Sequence, residues 1–88
     1  ARRPEALVAI GAMHLLSGRA GEARAHLLQA LALDPDNQEA HINLALLDLE
    51  SGDPIGAMER LQQVLARGAS PKAQRLLDEV RRQVKGRR

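Results

Sequence analysis

Three histidines are the residues of this chain whose chemistry most readily suggests a site, because the imidazole nitrogen is a common ligand of zinc and other transition metals. They are His14, His26 and His41. No two of them stand four residues apart on one helix, and no cluster of histidine and aspartate accompanies them. The sequence therefore predicts no metal site and no cofactor.

A nucleophilic serine or a phosphate-binding loop would be the next chemistry to consider. Ser17, Ser51 and Ser70 all fall at predicted helix ends, where serine commonly caps a helix or forms a turn. The turns at 19–21 and 52–54 lack the glycine-rich run followed by lysine and then serine or threonine that a phosphate loop requires. Since there is also no candidate triad or carboxylate pair, the chain is predicted not to be an enzyme.

The composition favours one small helical domain spanning residues 1–88. With no Phe, Tyr or Trp, the core must come from Leu, Ile, Val, Met and Ala, and of these Ala and Leu are the strongest helix formers. The absence of cysteine excludes disulfides and leaves the redox compartment open. No apolar run approaches the ~20 residues that a membrane span needs. The sequence leaves the compartment unknown and favours a soluble, cytoplasmic protein. Because the chain begins at Ala1 rather than Met, we expect a processed or excised piece of a longer protein.

The net charge of +2 conceals an uneven distribution along the chain. Residues 1–71 carry six basic and nine acidic side chains, whereas residues 72–88 carry seven basic and two acidic ones. Such a basic end can attract nucleic acid or an anionic surface. However, no aromatic side chain is present to stack on bases, and Asp78 and Glu79 interrupt the basic run. Nucleic acid is therefore disfavoured, and a solvated helix followed by a basic tail at 86–88 is the preferred interpretation.

A pattern of small and bulky residues returns after 34 positions. The matched pairs are Gly18 and Gly52, Ala23 and Ala57, Leu27 and Leu61, and Leu31 and Leu65. A period of this length in a helical pattern indicates stacked helix pairs, each of which buries its apolar face against its neighbour. The expected architecture is all-α, with antiparallel helix–turn–helix repeats stacked as a short α-solenoid of five helices. The expected class of function is protein binding.

Glycine, proline and capping residues predict where the five helices end. The predicted helices cover residues 4–17, 20 or 21 to 33, 37–50, 54–67 and 70–85. Gly18 supplies a left-handed cap after the first helix. Asp36 with Glu39 resembles a capping box for the third helix. Asp53 should cap the fourth helix and Ser70 the fifth.

The repeats are predicted at about 4–37 and 38–69, and a terminal capping helix at about 70–85. Pro35 and Pro71 lie 36 residues apart, which predicts a two-residue insertion before the last helix. In that register Arg81 takes the small-residue place that Gly11 holds in the first helix. A charge at this place predicts that no sixth helix packs there, so that the fifth helix caps the array. Its apolar stripe is formed by Leu77, Val80 and Val84.

The spacing resembles that of the tetratricopeptide repeat family over about residues 4–71. The family pattern places a bulky residue, leucine, a small residue and tyrosine on the first helix, then alanine, phenylalanine and alanine on the second, and a closing proline. The first repeat fills these places with Leu7, Ile10, Gly11, His14, Ala23, Leu27, Ala30 and Pro35. The second fills them with His41, Leu44, Ala45, Asp48, Ala57, Leu61 and Val64, and Ala69 stands where the proline is expected.

The resemblance implies a right-handed stack whose concave face is lined mainly by the first helix of each repeat. The implied partner-binding groove is formed by Glu5, Val8, Ala12, Leu15, Ile42, Asn43, Leu46 and Leu49. Because most of these side chains are apolar, the groove would receive a peptide or amphipathic helix of another protein, as a scaffold or adaptor does. Some family members hold a C-terminal carboxylate with lysine, asparagine and arginine on this face. Only Asn43 matches here, so that function is not expected.

Three alternatives to groove binding stay open. The fifth helix or flanking chain could fold over the apolar lining. The basic fifth helix could dock on nucleic acid or an anionic surface. The domain could also form a homo-oligomer, either through the groove or through an uncovered first helix. The sequence does not indicate which protein is the partner.

Overall fold

A computed structural model describes residues 3–86 of the chain, and in that range it contains five α-helices and no strand. The helices are α1 (Pro4–Leu16), α2 (Ala20–Leu33), α3 (Gln38–Glu50), α4 (Pro54–Arg67) and α5 (Pro71–Gly86). Consecutive helices pack against each other, and α1 also contacts α3. The prediction of an all-α helical repeat is confirmed, and each helix end lies within one or two residues of its predicted place. The basic residues Arg87 and Arg88 of the predicted tail lie outside the described range.

The two turns inside the repeats have the same backbone geometry. Gly18 has φ 75° and Gly52 has φ 82°, the left-handed region that favours glycine. The following residue in each turn donates its N–H to a carbonyl five residues back, Arg19 to His14 at 2.8 Å and Asp53 to Asp48 at 2.8 Å. This is the hydrogen-bond pattern of a Schellman motif, which satisfies carbonyls left open at a helix C-terminus.

Side chains cap three of the helices, one of them at a different residue from the one predicted. Asp53 accepts from the Gly56 N–H at 2.9 Å and Ser70 Oγ from the Ala73 N–H at 3.2 Å, as expected. For α3, however, the cap is Asn37, whose side-chain oxygen accepts from the Ala40 N–H at 2.9 Å.

The capping box predicted for Asp36 and Glu39 is therefore wrong. Because α3 begins at Gln38, Asp36 lies one residue too early to act as its N-cap. Its carboxylate pairs instead with Arg67 at 2.9 Å, and the Glu39 carboxylate pairs with Lys72 at 3.2 Å.

Each repeat has its own apolar core, formed mainly by alanine and leucine. The first core comprises Leu7, Ala23, Leu27, Ala30, Ala40, Leu44 and Leu47. The second comprises Ile42, Ala45, Ala57, Leu61, Val64, Ala73 and Leu77. Small residues let the paired helices approach closely: a β-carbon on Gly11 would lie 2.8 Å from Leu27 Cγ. The cores of the two repeats are thus built from α1–α2–α3 and from α3–α4–α5.

The register of α5 differs from the predicted one by three residues. Ser70 caps α5 as Asn37 caps α3, which makes the offset between these helices 33 rather than 36. The two-residue insertion was inferred from Pro35 and Pro71, but Pro35 lies in a turn whereas Pro71 begins a helix. In the observed register Asp78, not Arg81, takes the place of the small Ala45. Polar residues still occupy the face where a further helix would pack, and the capping role of α5 stays a prediction.

Candidate functional site

The first helices of the repeats and α5 line one side of the molecule. α1 and α3 contact each other directly, and α5 adjoins α3 through the ion pair between Lys72 Nζ and Glu39 Oε2 at 3.2 Å. Helices α2 and α4 pack behind this layer. Residues at positions 5, 12 and 16 of α1 and 39, 46 and 50 of α3 share the outward face of the layer, because they recur at helical spacing.

Six of the eight residues predicted to line the groove have side chains that are at least partly accessible to solvent. Glu5 is exposed, and the half-buried side chains are Val8, Ala12, Leu15, Leu46 and Leu49. Val8 and Leu15 pack against the first core and Leu49 against the second. Ala12 and Leu46 lie outside both core clusters of the described residues. These two therefore offer their accessible apolar surface to solvent without a structural role in either core.

The other two predicted groove residues are buried. Ile42 is 1% exposed and belongs to the core cluster that includes Leu61 and Leu77, while Asn43 is 8% exposed. Leu77 lies on α5, so α3, α4 and α5 share the core in which Ile42 is buried. The open apolar surface is accordingly shorter than the spacing alone predicted.

The most exposed large apolar side chain on this side is Leu16, the last residue of α1, at 89%. It shares its face with Ala12 and Leu46. Leu76 of α5 is also half-buried and takes the place of Asn43 in the observed register. Leu76 could not be identified from the sequence because the predicted register of α5 was displaced by three residues.

The match to a family model covers most of the chain. Residues 14–84 match the model described as "Tetratricopeptide repeat". The chain belongs to the tetratricopeptide repeat family. It is 40% identical over 57 residues to the protein named "Protein CTR9 homolog" from Arabidopsis thaliana, a match that covers 61% of this chain and 5% of that protein. The chain thus spans a small fraction of the relative's length. No solved structure matches it significantly.

Members of the tetratricopeptide repeat family are non-enzymatic helical scaffolds that generally mediate protein–protein interactions, and the polar clusters of this chain fit a structural role. Asp48, at the family's tyrosine position, has a side chain that is 11% exposed and pairs with Arg24 of α2 at 3.4 Å and Arg60 of α4 at 3.2 Å. This carboxylate therefore joins three helices. The sequence signal that could have identified it is an acid at a place where the family pattern is aromatic.

Each of the three histidines takes part in packing or in a local hydrogen bond. His14 lies 3.5 Å from a Glu22 carboxylate oxygen, and its ring centroid is 5.1 Å from that of His26. His26 Nδ1 donates to the Glu22 carbonyl at 2.8 Å, and His41 Nε2 donates to the Pro35 carbonyl at 2.9 Å. Residues 3–86 contain no group of three or more histidine, cysteine or acidic residues placed to hold a metal ion.

Two further observations describe the surface. A cleft of about 500 Å³ lies between the turn at Pro35 and the end of α4, lined in part by His41, Val64 and Arg67. Within the described residues, no helix combines the length and hydropathy that crossing a bilayer requires.

Proposed function

We propose that this domain binds another protein by holding an amphipathic helix of it against a groove surface formed by Glu5, Ala12, Leu16, Leu46 and Leu49. The observation that supports the proposal is the accessible apolar area of Leu16, Ala12 and Leu46 on one face of the α1–α3 layer. Contiguous apolar surface on a small domain usually marks an interaction site, whereas scattered apolar side chains do not.

The charges beside this surface suggest the chemistry of the partner. Glu5 lies near the start of α1 and Glu50 at the end of α3, and both are exposed. Neither forms an ion pair within the described residues. A helix with an apolar stripe flanked by lysine or arginine would therefore match the groove surface in both hydrophobicity and charge.

The test is affinity capture with the full chain and with a double variant, Leu16→Asp with Leu46→Asp, followed by mass spectrometry. Neither leucine belongs to a core cluster, so circular dichroism should show an intact helical fold. Ile42→Asp, by contrast, would place a charge in the second core and cannot separate binding from folding. The control is Ile55→Asp, because Ile55 is an exposed aliphatic residue of the same size as leucine and lies on α4.

We expect the double variant to lose a protein that the unchanged chain and the Ile55→Asp control both retain. Retention of the same proteins by the double variant, at unchanged yield, would refute the groove surface as the binding site.

A second candidate function is docking of α5 on nucleic acid or an anionic surface. Arg75, Arg81, Arg82 and Lys85 are exposed, and none of them has an ion pair to another described residue. Binding of this type weakens steeply with salt, in proportion to the number of phosphates neutralised. A mobility-shift assay at two salt concentrations tests it, and the absence of a shift at low salt would eliminate it.

A further inference from the structure

Three helices of this chain carry the same stripe of apolar residues. On α3 the stripe is Ala40, Leu44 and Leu47, on α5 it is Ala73, Leu77 and Val80, and on α1 it is Ala6, Ile10 and Met13. In each stripe the residues stand at i, i+4 and i+7, so they lie on one side of their helix. We call these the acceptor stripes of α3, α5 and α1.

Two of the three acceptor stripes are covered by the preceding helix. The stripe of α3 shares a core cluster with Ala23, Leu27 and Ala30 of α2. The stripe of α5 packs on α4, whose matching residues are Ala57, Leu61 and Val64. The six covering residues also stand at i, i+4 and i+7. All members of the two covered stripes are almost completely buried.

The acceptor stripe of α1 is uncovered in this structure. Ile10 is 38% exposed and Met13 is 65% exposed, while Leu44 and Leu47, which stand 34 residues later, are both 0% exposed. Ala6 is exposed and its counterpart Ala40 is buried. The difference in exposure arises because α2 lies on α3, whereas none of the described residues lies on the corresponding side of α1.

We propose that the α1 stripe is a second docking surface, and that its occupant is one helix from outside these 88 residues. That helix carries a small residue, a leucine and then alanine or valine at i, i+4 and i+7, and lies on α1 as α2 lies on α3. The two covered stripes define this chemistry, because the same acceptor spacing receives the same covering spacing in both.

The chain's own burial pattern argues against a second copy as the occupant. The covering residues of α2 and α4 are already buried against α3 and α5, so a folded second copy has no such face to offer among its described residues.

The guest helix also differs from α2 in one respect. Arg24 of α2 meets Asp48, whereas the place of Asp48 on α1 is held by His14, which already lies beside Glu22. The guest helix therefore needs no arginine after its first small residue.

The test uses the full chain labelled at the methionine methyl groups, with a synthetic peptide of residues 18–37 as the probe. Met13 lies on the stripe and Met58 packs against the second core, so the chain carries its own reference signal. The proposal predicts a saturable shift of the Met13 methyl resonance, no shift of Met58, and loss of the effect with a Leu27→Asp peptide or an Ile10→Asp chain.

A second measurement removes the dependence on peptide helicity, which is marginal at this length. A further copy of residues 18–37 replaces residues 1–3, directly before Pro4, because position 4 corresponds to position 38. We expect the Tm of this extended chain to be higher, by at least about 5 °C, than the Tm of an extended chain whose added segment carries aspartate at the Leu27 position.

Equal Tm values for the two extended chains would overturn the proposal. It would also be overturned if the unextended chain formed a dimer in sedimentation that Met13→Asp dissociates, because the occupant would then be a second copy. Neither result bears on the groove surface, whose residues are unchanged in all of these variants.

Discussion

Asp48 is a nearly buried acidic residue in a small apolar domain, and its two arginine partners explain its presence there. Its carboxylate accepts from arginines on two different helices. Replacing it with alanine leaves both guanidinium groups without their acceptor. Because Arg24 and Arg60 retain partial access to water, we expect a loss of about 1–2 kcal/mol in the free energy of unfolding rather than the larger cost of a fully buried charge.

Urea denaturation of Asp48→Ala measures this loss directly. The matched control is Glu39→Ala, which breaks the exposed ion pair with Lys72 and should change the free energy by no more than about 0.5 kcal/mol. Equal effects of the two substitutions would contradict a structural role for the Asp48 cluster.

Gly11 is the second residue for which the structure makes a sharp prediction. A β-carbon there would lie 2.8 Å from Leu27 Cγ and 3.3 Å from the Ala23 carbonyl oxygen. Leu27 is fully buried and cannot move aside, so Gly11→Ala should destabilise the domain by about 1–3 kcal/mol through overpacking. Thermal denaturation followed by circular dichroism checks this.

Gly21→Ala is the control, because a β-carbon at that position would have no atom of the described residues within 4 Å apart from its chain neighbours and the backbone of its own helix. Gly21 lies within α2, where alanine is favoured over glycine by up to about 1 kcal/mol. We therefore expect opposite signs for the two glycine substitutions. A stabilising Gly11→Ala would show that the helices of the first repeat have room to separate.

Among the elements, α5 has the clearest separable role. Its apolar side shares the second core with Leu61 and Ile42, and its other side exposes polar residues. Deleting residues 70–88 would expose these large side chains, each of which contributes roughly 1.5–3 kcal/mol when buried. Since the whole domain is stable by no more than about 5–15 kcal/mol, the fragment 1–69 should aggregate or unfold.

Circular dichroism and size-exclusion chromatography of the 1–69 fragment provide the measurement. Recovery of a monomer that melts cooperatively would mean that α5 is a basic appendage rather than a cap. It would also strengthen the electrostatic function over groove binding.

Helix ends were predictable because local chemistry determines them. Gly18, Asp53 and Ser70 act on backbone groups within one helical turn. Each is of a residue type that commonly ends or caps a helix. The cap of α3 was misassigned because Asp36 and Asn37 are adjacent and chemically alike, and only the starting residue of the helix distinguishes them. The register of α5 was misassigned because proline is accepted both in turns and at the first position of a helix.

At the scale of the whole molecule, the repeat predicts which side of each first helix faces outward but not what covers it. Burial of Ile42 depends on the core that α3 forms with α4 and α5, which is a tertiary arrangement without a local signal in the sequence. Exposure of Met13 likewise depends on the absence of a covering helix among the described residues. The outward side of the first helices was thus predictable, whereas the burial of Ile42 was not, and partner binding on that side stays a prediction.

The most direct test of the central claim is methyl NMR of the full chain titrated with the partner segment identified by affinity capture. Groove binding predicts that the Leu16 and Leu46 methyl resonances shift together and saturate, while those of Leu33 and Ile55, which are exposed on α2 and α4, stay unchanged. Shifts confined to Leu33 and Ile55, or to residues of α5, would contradict the assignment of the groove as the binding site.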